Sequence, residues 1–106
     1  MTRRTVLACV FATFSLPTLA NPTPEMLRDP EVNWLCTVKI SSKYLRIRKE
    51  PSGVIIGSIP NGSSFEPTDA RYADDGSLWY RTDGDGHQIG WVSSTLVDCF
   101  NWVHAD

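Results

Sequence analysis

Apolar and polar residues alternate along the middle of the chain. Cys36, Val38 and Ile40 are separated by Thr37, Lys39 and Ser41, and Leu45 and Ile47 alternate with Arg46 and Arg48. A period of two sends successive side chains to opposite faces of a strand, so each run predicts a strand with one apolar and one polar face. "VIIGSI" at 54–59, framed by the turn chemistry of "EPSG" and "PNG", predicts another strand, and "SSFEPT" a short one around Phe65. "LWYRT" and "HQIGWV" predict a closing pair, with "DGDG" at 83–86 as a tight hairpin connection. Residues 69–77, "DARYADDGS", read as the longest irregular piece. No segment carries helical periodicity. The expected fold is therefore all-β, a small barrel or sandwich of about five to six short strands. Barrel closure would also remove exposed strand edges.

The ends read differently. Arg3 and Arg4 precede an apolar run from Val6 to Leu16, followed by small residues at Thr18 and Ala20. That order predicts a secretory signal over 1–20, cleaved after Ala20. The run falls short of the roughly 20 apolar residues that span a bilayer, so membrane insertion is not expected. Cys9 comes too early in the apolar run to serve as a lipidation site. Residues 21–33 hold Pro22, Pro24 and Pro30 among several charges and predict an extended, mobile leader. The folded unit is expected over 34–100, with 101–106 as a tail.

An exported chain changes the reading of its cysteines. Removing the signal leaves Cys36 and Cys99, an even count that in an oxidising compartment favours one disulfide. It also removes two arginines, leaving eight Lys or Arg against twelve Asp or Glu. No basic stripe remains to track phosphates, so nucleic acid is not an expected partner. Local cationic positions persist at Lys43, Arg46, Arg48 and Lys49.

Taken in order, these pieces carry a family likeness. "YLRIRKEPSGVIIGSIPNGSSFE" resembles the opening signature of bacterial SH3-like (SH3b) domains: an alternating Leu-x-Val-Arg, a Pro turn, an apolar strand and a Gly turn. "LWYRTDGDGHQIGWVSSTLV" is similar to the family's closing hairpin, ending in Gly-Trp-Val and a short helical turn. The likeness covers about residues 36–98 and implies a small SH3-like barrel with a short 3-10 turn near its C-terminal end. Arg46 and Glu50 stand where the family usually has Asn and Gly, and the cysteine pair is an addition to the motif. The tail "GWVSSTLV" also resembles the end of eukaryotic SH3 domains. There, however, Ser93, Thr95 and Leu96 replace the residues that would build a polyproline groove.

The resemblance implies a non-catalytic binding module whose ligand is cell-wall peptide or glycan. Trp91 follows Gly90 and alternates with core-facing Val92, so it is expected to point outward as a stacking platform. Tyr44, Tyr72 and Tyr80 would extend that platform, and Arg46 or Arg48 would pair with a carboxylate. Trp79 reads more readily as core. The alternative reading is an adaptor or inhibitor that captures a periplasmic or extracellular protein through 69–77 and the tail.

Catalysis and metal binding find no support. "DGDGH" is hairpin chemistry, too short for a calcium loop. His87 on a turn reads as solvated surface, His104 lies in the tail, and adjacent Asp74 and Asp75 cannot flank a scissile bond. No cofactor is expected. Phe100 and Trp102 are expected to seal one mouth of the barrel.

Overall fold

The computed structural model describes residues 21–103, with side chains through residue 101. The expected signal segment, Cys9, His104 and the Trp102 side chain lie outside the described residues. The fold is all-β. It is built from β1 (Val32–Val38), β2 (Tyr44–Arg48), β3 (Ile55–Pro60), β4 (Ser64–Phe65), β5 (Asp69–Tyr72), β6 (Leu78–Arg81), β7 (Trp91–Ser93) and β8 (Val97–Val103). A 3-10 turn at Ser94–Leu96 links the last two strands, and a single helical turn, α1 (Pro24–Leu27), precedes the first.

The strands form two antiparallel sheets, one ordered β4-β1-β8 and the other β3-β2-β7-β6-β5. Alternation along the sequence becomes alternation of burial: Trp34, Cys36 and Val38 of β1 and Leu45 and Ile47 of β2 point between the sheets. Ile59, Phe65, Tyr80 and Val92 complete the centre of that core. Cys36 and Cys99 are directly opposed in the β1–β8 register and form a disulfide. The bond closes a separation of 63 residues, worth about 4 kcal/mol in the chain-entropy account. Gly90 lets β7 lie against β2, since a Cβ there would overlap Ile47 Cγ2 and come within 2.7 Å of Arg48 O.

Four local expectations are corrected. The segment expected as an extended leader is folded back onto the sheets. Thr23 caps α1 by accepting from the Met26 amide at 3.3 Å, Pro22 is buried, and Asn21 bridges to β8. Residues 69–77 are not irregular: β5 and β6 form a hairpin whose 73–77 turn is closed by Ala73 N–H to Ser77 O at 2.8 Å. The Asp-Gly repeat does not make a tight hairpin, because residues 82–90 form a longer loop between β6 and β7. Buried Thr82 organises that loop, donating to Gln88 O at 2.8 Å and accepting from Gly90 N at 3.0 Å. Finally, β8 runs through to Val103, so residues 101–103 belong to a strand paired with β1 rather than to a free tail, and Phe100 is 48% exposed. These pairings raise the strand count among the described residues to eight, above the five to six expected.

Candidate functional site

The face of the five-stranded sheet turned away from the core carries the polar half of each alternation. On β2 that half is Tyr44, Arg46 and Arg48; on β6 it is Trp79 and Arg81; on β7 it is Trp91 and Ser93. Strand register places Arg48 and Arg81 on either side of Trp91, and Trp79 opposite both Arg71 and Ser93. β2 and β7 share only the Arg48–Trp91 pair before separating. Past that point the chain turns into the 3-10 segment, where Ser93 Oγ accepts from the Thr95 amide at 3.4 Å.

A groove of about 770 Å³ opens where the strands part. Its walls are the 40–43 loop and β2 on one side, Ile55 and Ser58 of β3, and Trp79, Ser93 and Leu96 on the other. That volume falls within the range of small-ligand sites, roughly 300–1,000 Å³. Tyr44 is 55% exposed at its rim, and Trp79 is half-buried. The indole N–H of Trp79 donates to Ser77 Oγ at 2.8 Å, and that hydroxyl donates to Asp75 Oδ1 at 2.5 Å. The ring is thereby tied to the β5–β6 turn. The same hydroxyl, with backbone donors, holds the Asp75 carboxyl below the usual carboxylate range.

Charge on the groove is of one sign. Lys43, Arg46 and Arg48 line it, and no Asp or Glu does. Arg48 is partly committed, since Nη1 donates to Gly53 O at 2.8 Å and so braces the 50–53 turn. Outside the groove, Lys39 pairs with Asp98 at 3.5 Å and Arg71 with Asp69 at 3.7 Å.

The residues expected to bind ligand divide into three groups. Tyr44, Arg46 and Arg48 come together in the groove. Tyr72, also 55% exposed, stands apart on β5, beside the 50–53 and 73–75 turns. Tyr80 and Trp91 offer no open surface. Tyr80 is fully buried, its hydroxyl donating to Pro22 O at 2.6 Å, and burial, helped by Tyr72, raises its pKa. Trp91, expected to point outward as a stacking platform, is buried and only 5% exposed. The Arg71 guanidinium lies over its ring, 4.7 Å from the centroid.

Trp79, Lys43, Ser93 and Leu96 join the groove although the sequence did not single them out for it. The signal that could have found Trp79 was register: Tyr80 lies opposite core-facing Val92, which turns Trp79 outward. His87 also departs from expectation. Its side chain is only 5% exposed, packed edge-on to Phe65 with Nε2 3.3 Å from Asp83 Oδ1. The Asp83 carboxyl is partly buried, which raises its pKa, but amide donors from Glu66 and Asp85 and the neighbouring His87 outweigh that and hold it low.

A family model described as bacterial SH3 domain matches residues 43–98. The chain belongs to that family. The match runs from the groove-lining Lys43 to Asp98, so it takes in β2 through β7 and the 3-10 turn. No curated protein and no solved structure matches the chain. Bacterial SH3 domains are typically non-catalytic binding modules and often bind cell-wall components. In this SH3 protein the disulfide ties β1, which precedes the matched region, to Cys99 just beyond it. The family and the disulfide are compatible with export. No helix among the described residues is long and apolar enough to cross a membrane.

Proposed function

We propose that this bacterial SH3 protein is an exported, non-catalytic module that binds peptidoglycan, through its peptide or its glycan, in the groove between β2 and β7. The observation that carries the reading is the groove itself: an opening of about 770 Å³ with an exposed tyrosine and a half-buried tryptophan beside Lys43, Arg46 and Arg48. Aromatic surfaces held by rigid strands make favourable binding platforms because little side-chain freedom is lost on contact. The test is retention of the purified protein on isolated peptidoglycan at low salt, beside Tyr44→Ala and Trp79→Ala. Tyr44 is exposed, so its truncation should leave the fold intact and weaken retention. Failure of the wild-type protein to bind the wall overturns the reading.

A second reading, capture of an exported protein, is favoured by Tyr72, which is exposed on β5 away from the groove. Tyr72→Ala would then abolish capture of that partner and leave wall retention unchanged.

A further inference from the structure

The geometry points to Asn61, a residue outside the groove lining, as the positioning residue that holds the 40–43 flank of the groove in shape. The role goes beyond the peptidoglycan reading, and only the retention arm of its test rests on that reading.

Four of the groove's lining residues, Ile40, Ser41, Ser42 and Lys43, come from the connection between β1 and β2. No strand ladder runs through them, so their backbone groups must find partners one by one. Lys39 N–H donates to Leu96 O at 3.0 Å, which ties the start of the connection to the 3-10 turn. The next amide, Ile40 N–H, donates to Asn61 Oδ1 at 3.0 Å. Consecutive amides thus fasten this flank to two different elements, and the 3-10 turn carries Leu96 of the facing side.

Asn61 grips both ends of the flank. Its side chain accepts from Ile40, and its own backbone N–H donates to Lys43 O at 2.8 Å. The residue is itself held in a tight turn from Pro60 to Ser63, closed by Ser63 N–H to Pro60 O at 3.1 Å, with Gly62 at φ 90° as such a turn requires. Two further bonds anchor the turn to the end of β1: Gly62 N–H to Val38 O at 3.0 Å and Val38 N–H to Ser63 O at 2.8 Å. The turn is therefore a fixed base from which the Asn61 side chain reaches the flank. Of these contacts only the Ile40 bond depends on a side chain, so it alone is set by the residue type at position 61.

Exposure separates positioning from stability. The Asn61 side chain and its bond to Ile40 lie at the surface, so water can take the place of the acceptor when the amide is removed. What is lost is order in the flank, which a ligand must then restore on binding. Lys43 stays bonded to the Asn61 backbone, so the loosened part is Ile40, Ser41 and Ser42. Ile40 carries the loss into the groove, because its side chain both packs against the core and lines the opening.

Two variants test the role. Asn61→Ala removes the acceptor, and Asn61→Asp keeps an oxygen in its place. In the purified protein, amide NMR should show faster hydrogen exchange at Ile40 and shifted Ile40, Ser41 and Ser42 amides in Asn61→Ala, with near-wild-type behaviour in Asn61→Asp. Thermal melts of the three proteins should nearly coincide. Affinity for isolated peptidoglycan, measured at enough salt to screen the added charge of the aspartate, should fall about two- to tenfold in Asn61→Ala and recover in Asn61→Asp.

Unchanged exchange and shifts in Asn61→Ala overturn the role, as does an Asp variant that behaves like the Ala variant. A melting point that falls in step with retention overturns it as well, because the residue would then be structural only. Full retention by an Ala variant whose flank has loosened overturns it while leaving the peptidoglycan reading in place. If the wild-type protein is not retained, the peptidoglycan reading fails; a loosened flank, a steady melt and rescue by Asp still uphold Asn61 as the residue that shapes the groove.

Discussion

Tyr80 Oη donates a 2.6 Å hydrogen bond to the carbonyl oxygen of Pro22, joining the middle of β6 to a residue 58 positions earlier. Both partners are buried, so the N-terminal segment is an integral part of the folded unit. Tyr80→Phe keeps the ring and deletes only the donor. Chemical denaturation should show a loss of about 1–3 kcal/mol from the stranded carbonyl. The pH dependence gives a second check. Burial raises the folded-state pKa above that of the unfolded chain, so this stabilisation is intact below about pH 10 and declines as pH rises beyond it. The Phe variant should lack that part of the alkaline decline.

Asn21 makes the companion contact. Its Nδ2 donates to Ser94 O and Val97 O, both at 2.9 Å, and its Oδ1 accepts from the Cys99 amide at 3.0 Å. One side chain thus occupies backbone groups along the outer edge of β8 and the 3-10 turn. Asn21→Ala should cost about 1–3 kcal/mol and speed hydrogen exchange at the Cys99 amide selectively. Unchanged exchange there would show that the bridge is not maintained in solution.

The Cys36–Cys99 bond restrains a small core across most of its length. A Cys36→Ala, Cys99→Ala double variant should lose about 2–4 kcal/mol of stability, read as a lower urea midpoint. Reduction of the wild-type protein should lower its midpoint similarly. Because the groove lies on the other sheet, retention on peptidoglycan by the still-folded fraction should persist.

Acid should act through the 82–90 loop. Asp83 accepts from the Glu66 and Asp85 amides beside His87, and its folded pKa is depressed. The stabilisation from that shift is present above the unfolded value near pH 3.9 and is lost as pH falls through the lower folded value. Asp83→Asn should be less stable at neutral pH and show a flatter stability profile from about pH 5 downward. An acid limb as steep as that of the wild type would assign the effect to other carboxylates.

Much of the fold was legible because its determinants are local. The period of two over residues 36–48 depends only on neighbouring side chains, and β1 and β2 bury the expected alternates. The disulfide followed from cysteine parity, and the 3-10 turn from its family likeness. The groove was half legible: Tyr44, Arg46 and Arg48 share the polar side of one strand, so they stayed together wherever that strand went.

The parity of neighbouring strands was not local. Trp79 and Tyr80 are both large and aromatic, so composition alone did not say which enters the core. The connection through 82–90 is too long to set the register as a two-residue turn would. Likewise, Gly-Trp-Val suggested an open, outward Trp91, but that residue is buried, and the arginine over its ring comes from β5, two strands across the sheet. The amino-acid sequence by itself determined the all-β alternation, the cysteine clasp and the cationic side of β2. Only tertiary structure decided which aromatics stay open and where the leader docks, because those outcomes depend on register and coverage between segments distant along the chain.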